Sequence, residues 1–324
     1  MNTNPEFNYT FTVFTATLNR AGLLPRVYES LQKQTFRDFE WVIGDGGSTD
    51  NTEQLIREWQ KTSSFPIRFY SEKGEGKNAA LNQGAVMAQG RFFCILDSDD
   101  WYVPKTLERF LHHWNTIPES EQPKFVGVCG LCAYESGELI GTRFPKDVLD
   151  SNAIDLRYVH KVHGDKSGMM RTEVFRQFPF PKELGKFLGD FVVWNRIAQK
   201  YQTRFINEEL TFKEYQGGGL TDKVALNWVR DSGAALLCSR ELIGLGSRLP
   251  WDPKIRGYAN YIRHSLHQHV PFGQQMAGAP SKTLFFLCYP IGIYLRMSDQ
   301  KVLRDNETAK ERVNRIKVKI VNEN

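Results

Sequence analysis

The sequence predicts an α/β fold in which a mostly parallel sheet is flanked by helices, with a helical region at the C-terminal end. Strand and helix patterns alternate through the first 130 of the 324 residues, as is typical of parallel strands joined by crossover helices. The fourth strand pattern, residues 91–96 (RFFCIL), has no polar alternation. Such a run is expected of a strand that is covered on both faces.

The strand patterns are rich in β-branched and aromatic residues and cover residues 9–15, 39–45, 66–70 and 91–96. The helix patterns repeat apolar residues at intervals of three and four and cover residues 23–31, 48–59, 76–88 and 104–114. Pro25 and Pro104 suit the first turns of their helices, and Asp50 with Glu53 has capping-box spacing. Because ligands bind beyond the carboxyl ends of parallel strands, the residues after each strand form the candidate site.

Composition and charge exclude several classes of protein. Hydrophobic residues make up 41% and charged residues 24% of the chain, which is ordinary for a globular protein. Residues 301–320 hold seven Lys and Arg against three acids, so they carry most of the net charge of +5. The remainder is nearly neutral, which argues against a nucleic-acid partner.

The number and placement of the cysteines predict that the protein resides in a reducing cytoplasm. The five cysteines are odd in number and lie mostly in apolar runs, and residues 1–10 are too polar for a secretory segment. Cys129 and Cys132 form a CxxC inside a strand pattern, and no second pair follows. This context favours core cysteines over a zinc or redox site.

Three carboxylates follow the fourth strand pattern: Asp97, Asp99 and Asp100, the acid cluster. At 4 Å and an effective dielectric near 20, each pair would repel by about 4 kcal/mol. A divalent cation would relieve that repulsion, and oxygen ligands suit Mg²⁺ or Mn²⁺, which also take oxygens from a diphosphate. The motif alone leaves open a second interpretation, in which these residues cap the helix that begins near Pro104.

The acid cluster belongs to a longer pattern. The segments FTVFTATLNRAGLLPRVYESLQKQTFRDFEWVIGDGGSTDNT and GKNAALNQGAVMAQGRFFCILDSDDWYVP closely resemble the nucleotide-sugar half of glycosyltransferase family 2, the inverting enzymes with the GT-A fold. The resemblance runs from about residue 10 to residue 112. It implies a Rossmann-like GT-A catalytic domain over residues 1–220, divided into a nucleotide-sugar-binding half (1–112) and an acceptor-binding half (113–220). A mainly helical region, 221–324, follows.

The resemblance also implies a donor site at the strand ends. The residues expected to bind the donor are Thr15, Thr17, Asn19, Arg20, Asp45, Gly46, Lys77, Asn82, Asp97, Ser98 and Asp99. Within the DxD motif, Asp99 is the expected ligand of Mn²⁺ or Mg²⁺, and Asp97 is expected to contact the metal or the ribose. Asp100 is the alternative for either role. The chain departs from the family pattern at two points: DGGSTD replaces the commoner DDGSTD, and Leu81 stands where an Arg is frequent.

An inverting transfer needs a carboxylate that takes the proton of the acceptor hydroxyl while the metal stabilises the departing diphosphate. Asp190 is the candidate base, since it follows Gly189 and lies four residues before Trp194 at the start of a helix pattern. A capping Asp favoured by the helix dipole is the alternative. Further candidates on the acceptor side are Trp101, His163, Asp165 and Trp194, with a core position for Trp101 and a plain surface loop for His163 and Asp165 as the alternatives. Lys223 lies in a glycine-rich segment, 217–223, which is either a mobile loop that closes over phosphates or a flexible link.

The implied function is transfer of a hexosyl or N-acetylhexosaminyl group from a nucleoside diphosphate sugar, most often UDP-linked, to a saccharide or lipid-linked acceptor. Cell-surface polysaccharide or glycolipid synthesis is the expected setting. A nucleotidyltransferase and a catalytically inactive sugar-nucleotide-binding relative are the alternatives. Residues 74–79 (GEGKNA) mimic a dinucleotide fingerprint, but that fingerprint belongs after the first strand.

The C-terminal region contains twelve mostly apolar residues, 284–295 (LFFLCYPIGIYL), interrupted by Pro290. A spanning helix needs about 20. The segment is therefore either a buried hairpin or an interfacial segment, in which case residues 282–320 contact the inner face of the membrane through anionic lipid. His264, His267 and His269 are spaced by 3 and 5, which does not place all three on one helical face and argues against a metal site.

Overall fold

The computed structural model describes residues 7–184, 189–214 and 231–301, with the exception of the Asp190 side chain. Two compact units divide the chain, Met1–Lys223 and Val224–Asn324. The predicted loop 217–223, including Lys223, lies outside the described residues.

The first unit contains nine strands and seven α-helices among its described residues. The strands are β1 (Tyr9–Thr17), β2 (Phe39–Asp45), β3 (Ile67–Ser71), β4 (Gly90–Ile95), β5 (Asp100–Tyr102), β6 (Phe125–Ala133), β7 (Val148–Ser151), β8 (Lys166–Arg171) and β9 (Gln202–Lys213). The helices are α1 (Leu24–Gln32), α2 (Thr52–Thr62), α3 (Gly76–Met87), α4 (Thr106–Asn115), α5 (Ala153–Tyr158), α6 (Thr172–Gln177) and α7 (Asp190–Ala198). All four predicted strand–helix repeats are therefore present.

The strands form one nine-stranded sheet in the order β3-β2-β1-β4-β8-β6-β9-β5, with β7 also pairing with β9. Strands β1 to β4 are parallel, in a register that aligns Thr17 with Asp45 and Asp45 with Ser71. Strand β8 joins antiparallel to β4 and begins a mixed half, in which β6 and β9 are parallel while β5 and β7 run antiparallel to β9. The predicted α/β fold is confirmed. The predicted parallel pairing is found among β1 to β4, the N-terminal half of the sheet.

Strand β4 shows why its sequence lacks polar alternation. Phe92 and Phe93 point to opposite faces and are both fully buried. Phe92 packs against Trp114 of α4, with ring centroids 5.1 Å apart, and Phe93 packs against Phe175 of α6, also at 5.1 Å. Helices therefore cover both faces of the sheet, as the apolar run predicted.

The capping box predicted for α2 was wrong. The N-cap residue is Asn51, and its side chain makes no capping hydrogen bond. The Asp50 carboxylate accepts hydrogen bonds from the backbone N–H groups of Thr52 (3.1 Å) and Ala21 (3.1 Å). Asp50 therefore joins the start of α2 to the loop after β1. The N–H of Ala21, which is distant in the sequence, binds the carboxylate that the local pattern had assigned to a capping box.

The cysteines of the CxxC lie on β6, and all five cysteines are free thiols. Burial raises the pKa of the Cys129 thiol to about 12. Because a thiolate is the form that binds metals or attacks disulfides, these cysteines behave as core residues, as predicted.

The second unit is helical over its described residues. Its helices are α8 (Ser232–Gly244), α9 (Trp251–His267), α10 (Phe272–Gly278) and α11 (282–301). The apolar segment 284–295 lies entirely within α11, so the hairpin alternative was wrong, and the helix continues through Pro290. None of the described helices is both long enough and apolar enough to cross a membrane.

Helix α11 has two different faces. Phe285 and Cys288 are buried in a cluster with Tyr258 and Ile262 of α9. The other face exposes apolar side chains that follow one another at helical spacing: Phe286, Leu287, Ile291, Tyr294 and Met297. This set is called the exposed α11 face below.

The histidines of α9 take part in an ion-pair network that the sequence did not reveal. Asp299 of α11 accepts a 2.6 Å hydrogen bond from Arg263 Nε and lies 2.9 Å from His267 Nε2. His264 is buried, which lowers its pKa to about 3. Within the described part of the chain, no group of three or more His, Cys, Asp and Glu is arranged to hold a metal ion.

Candidate functional site

The parallel half of the sheet brings three loops to one edge. The Gly46 N–H donates to the Thr17 carbonyl over 2.8 Å, which joins the ends of β1 and β2. Asn19, in the loop after β1, accepts a 2.7 Å hydrogen bond from the Thr49 N–H, and the Leu96 N–H after β4 donates to the Phe14 carbonyl. Thr17, Asn19 and Gly46, three of the residues predicted to bind the donor, thus lie at this edge.

Asp45 orders the loop after β2. Its carboxylate is buried and accepts hydrogen bonds from the backbone N–H groups of Gly47 (3.1 Å) and Ser48 (2.9 Å) and from the Ser71 hydroxyl (3.0 Å). Gly47 has a φ of 90°, a conformation that favours glycine. The chain therefore turns closely at Gly47, and Asp45 is the residue that holds the loop.

Three other predicted donor residues make structural contacts. Thr15 is fully buried and its hydroxyl accepts a 3.0 Å hydrogen bond from Trp41 Nε1. The Asn82 amide exchanges two hydrogen bonds with the backbone of Phe180, at 2.9 and 2.8 Å. The Arg20 N–H donates to the Thr52 hydroxyl at 3.1 Å.

Thr17 differs from Thr15 although both lie on β1. Its hydroxyl is buried at the end of the strand and has no hydrogen-bond partner among the described residues. An unsatisfied buried hydroxyl is costly. A ligand at this edge would supply the missing partner.

Lysines neutralise part of the acid cluster. Lys77 Nζ, at the start of α3, lies 2.5 Å from Asp97 Oδ1. Lys213 Nζ, at the end of β9, lies 2.5 Å from Asp100 Oδ2, 4.0 Å from Asp97 Oδ2 and 3.6 Å from Asp165 Oδ2. The repulsion that predicted a cation is therefore relieved in part by the protein's own ammonium groups, and Asp165 shares Lys213 with the acid cluster.

The electrostatics of this network follow from its contacts. Burial opposes ionisation of Asp97, but Lys77 and Lys213 hold its pKa below the usual range. Burial also disfavours charge on Lys213, yet Asp100 and Asp97 raise its pKa above the ordinary value. Lys213 is therefore a permanent cation near neutral pH. Sequence reasoning missed it, since a lysine at the end of a strand carries no local signal.

Asp99 is the member of the acid cluster that fits a metal ligand best. Its carboxylate makes no ion pair or hydrogen bond within the described ranges, and it is partly exposed, whereas the neighbouring Ser98 is buried. Asp97 would offer an oxygen to a metal if the metal took the place of Lys77. A site with one or two carboxylates suits Mg²⁺ or Mn²⁺ that takes its remaining ligands from water and a diphosphate.

The candidates for the acceptor side lie on separate elements of the first unit. Trp101 of β5 lies beneath Arg26, whose guanidinium carbon is 4.0 Å from the ring centroid. His163 lies in an exposed turn. Trp194 of α7 packs against Phe175 with ring centroids 6.0 Å apart, and Asp190 is the first residue of α7.

The fold and the arrangement of acids at the sheet edge define a class, the GT-A proteins, and solved structures share this fold. Staphylococcus aureus TarS 1-349 in complex with UDP-GlcNAc aligns over 92% of both chains with a TM-score of 0.57 and 15% sequence identity. The mannosyltransferase PcManGT from Pyrobaculum calidifontis, in complex with GDP-Man and Mn²⁺, aligns over 92% of this chain and 82% of its own, with a TM-score of 0.51 and 18% identity.

The sequence comparisons match part of the chain to known glycosyltransferases. Residues 12–136 match the model of glycosyl transferase family 2. An uncharacterized glycosyltransferase of Nostoc sp. is 27% identical over 141 residues, which are 44% of this chain and 38% of that protein. The GalNAc(5)-diNAcBac-PP-undecaprenol beta-1,3-glucosyltransferase of Campylobacter jejuni is 29% identical over 143 residues, 42% of this chain and 44% of that protein.

Residues 12–136 match glycosyltransferase family 2, and over that region the resemblance read from the motifs is confirmed. The chain spans less than half the length of the Nostoc and Campylobacter relatives, at 38% and 44%. The matched region contains β1 to β6, and with them Asp45, Lys77 and the acid cluster.

Proposed function

We propose that this protein is a metal-dependent inverting glycosyltransferase that moves a sugar from a UDP-linked donor to an acceptor hydroxyl. The observation that carries the proposal is the edge of the sheet where Asp99, whose carboxylate makes no ion pair or hydrogen bond among the described residues, follows the Asp97–Lys77 pair. The complex of TarS with UDP-GlcNAc, a protein of the same fold, supports the choice of nucleotide.

In the proposed donor complex, Asp99 and Asp97 hold Mn²⁺ or Mg²⁺. When bound, the cation stabilises the negative charge of the departing diphosphate. Lys77, once exchanged from Asp97, lies close enough to the same site to contact a phosphate oxygen. Thr17 offers its unsatisfied hydroxyl to the nucleoside, and the loops that carry Asn19, Arg20, Asp45 and Gly46 form the surface beneath it.

Asp190 is the proposed base that takes the proton of the acceptor hydroxyl. Trp101, His163 and Trp194 are proposed contacts on the acceptor side, with Lys223 as a loop residue. The acceptor is a saccharide or a lipid-linked saccharide of cell-surface polysaccharide or glycolipid synthesis. Its lipid-linked form is supported by the undecaprenol named for the Campylobacter relative.

Nucleotide binding can be tested without knowing the acceptor. UDP with Mn²⁺ is expected to raise the Tm by about 5–10 °C at concentrations near 100 times the Kd, because a ligand that binds the native state stabilises it by mass action. UDP alone and Mn²⁺ alone are expected to give smaller shifts, since each completes the other's coordination. ADP with Mn²⁺ is the control for the identity of the nucleobase. If no nucleoside diphosphate changes the Tm in the presence of Mn²⁺, the proposed function is wrong.

We also propose that the protein is cytoplasmic and contacts the inner face of the membrane through residues 282–320. The exposed α11 face supplies apolar side chains, and residues 301–320 supply seven Lys and Arg against three acids. Apolar insertion together with attraction to anionic lipid is the combination that holds interfacial helices.

Flotation with vesicles of phosphatidylglycerol and phosphatidylcholine tests the membrane contact. Leu287→Glu combined with Tyr294→Glu is expected to lower the partition coefficient at least about tenfold, because two side chains, 68% and 70% exposed, no longer enter the lipid. Val86→Glu is the matched control, since Val86 is also 68% exposed but lies in the other unit. Equal flotation of the double variant and the unmutated protein would contradict the contact. Substitution is preferable to truncation, because Phe285 and Cys288 of the same helix are core residues.

A further inference from the structure

We propose that Lys213 is the resident counter-cation of the acid cluster, a positioning residue that keeps Asp97 and Asp100 from binding a divalent cation in the absence of nucleotide. The cation would then enter the site together with the diphosphate. This inference rests on the proposed function, which requires a metal at Asp99. It assigns a residue from the mixed half of the sheet, outside the matched family region 12–136.

The position of Lys213 is fixed by strand pairing. Asp100 and Lys213 are directly opposite each other in the antiparallel pair β5–β9, followed by the pairs Trp101–Phe212 and Tyr102–Thr211. The Lys213 side chain is only 16% exposed and the Asp100 side chain 7%. The ammonium group is therefore held between carboxylates by regular backbone structure, whereas an exposed lysine would move freely.

The contacts of Lys213 occupy the oxygens that a metal would otherwise use. It bonds Asp100 at 2.5 Å and lies within 4.0 Å of Asp97 and 3.6 Å of Asp165. With Lys77 on the other oxygen of Asp97, the carboxylate of Asp99 is left for a cation. One carboxylate binds Mn²⁺ or Mg²⁺ weakly unless phosphate oxygens are added. Lys213 thus makes metal affinity depend on the nucleotide.

The test measures Mn²⁺ binding to the full chain without nucleotide, from the electron paramagnetic resonance signal of free Mn²⁺. Lys213→Met is expected to bind Mn²⁺ at least about tenfold more tightly than the unmutated protein, because Asp97 and Asp100 lose a cation within 4.0 Å. Lys213→Arg keeps the charge and is expected to bind as weakly as the unmutated protein. Lys105→Met removes the same charge from an exposed position and is expected to change nothing.

Loss of Lys213 leaves Asp100 buried without its partner, which can unfold the protein. The double variant Lys213→Met/Asp100→Asn removes both charges of the pair and is the second test. It is expected to bind Mn²⁺ alone more tightly than Asp100→Asn, in which Lys213 still faces Asp97.

Two results would overturn the proposal for Lys213. One is that Lys213→Met binds Mn²⁺ no more tightly than the unmutated protein and Lys213→Met/Asp100→Asn no more tightly than Asp100→Asn. The other is tight Mn²⁺ binding by the unmutated protein without UDP. Either result leaves the proposed function standing if UDP with Mn²⁺ still raises the Tm. If that Tm rise is missing, the proposed function itself is wrong. The Tm measurement therefore distinguishes failure of the proposed function from failure of the proposal for Lys213 alone.

Discussion

Asp190→Asn is expected to lower the rate of sugar transfer by about 10²–10⁴-fold while donor binding stays unchanged. The amide has the shape of the carboxylate but cannot take the proton of an acceptor hydroxyl. Asp190 is the first residue of α7 and follows Gly189, whose φ of 78° turns the chain into the helix. The measurement is UDP release in the presence of a saccharide acceptor, with UDP and Mn²⁺ binding followed separately by the Tm.

A capping role for Asp190 predicts a different result. An acid in the first turn stabilises a helix by about 0.3–1 kcal/mol, so Asp190→Asn would lower the Tm slightly and leave turnover intact. Glu173→Gln is the matched control, because Glu173 lies in the first turn of α6. Turnover of Asp190→Asn at the unmutated rate would show that the base is another residue.

Asp99→Asn is expected to abolish the Mn²⁺-dependent part of the Tm rise with UDP and to lower kcat/KM at least about 100-fold. Metal coordination stabilises the leaving diphosphate by several kcal/mol, and each 1.4 kcal/mol or so is tenfold in rate. Asp99 is the carboxylate of the acid cluster without an ion pair among the described residues, so its loss breaks no pair there. The fold should therefore persist.

Asp147→Asn provides the control for charge, since Asp147 is an exposed acid ahead of β7. It is expected to leave both the Tm rise and kcat/KM unchanged. If Asp99→Asn keeps the full response to Mn²⁺, the cation is held by other groups and the assignment of Asp99 is wrong.

The N-terminal half of the fold could be predicted because its signals are local. Hydrophobic periodicity of one helix or strand is contained in ten or so residues, and β1 to β4 with α1 to α4 all follow such patterns. Strand β5 could not be predicted this way. Its three residues, Asp100–Tyr102, match the description of a turn, and they are extended because they pair with β9.

The residues of the candidate site were likewise predictable only where their signals are local. Asp45, Lys77 and the acid cluster lie next to predicted strands, so a motif could locate them. The partners that determine their charge could not be located, since Lys213 is 113 positions from Asp100 along the chain. Likewise, the contact of Asn82 with Phe180 spans 98 positions. Contacts between residues so far apart along the chain produce no periodic pattern in the sequence.

The pairing of β5 with β9 has a consequence for synthesis of the chain. While the polypeptide emerges, β1 to β4 are available early, but the last strand of the sheet to be synthesised is β9, which carries Lys213. Until then Asp97 has Lys77 as its cation and Asp100 lacks the ammonium group that it contacts in the complete sheet. Long-range pairing of this kind is slow, so a ribosome-bound chain that stops before residue 202 would present a more negative surface than the finished protein.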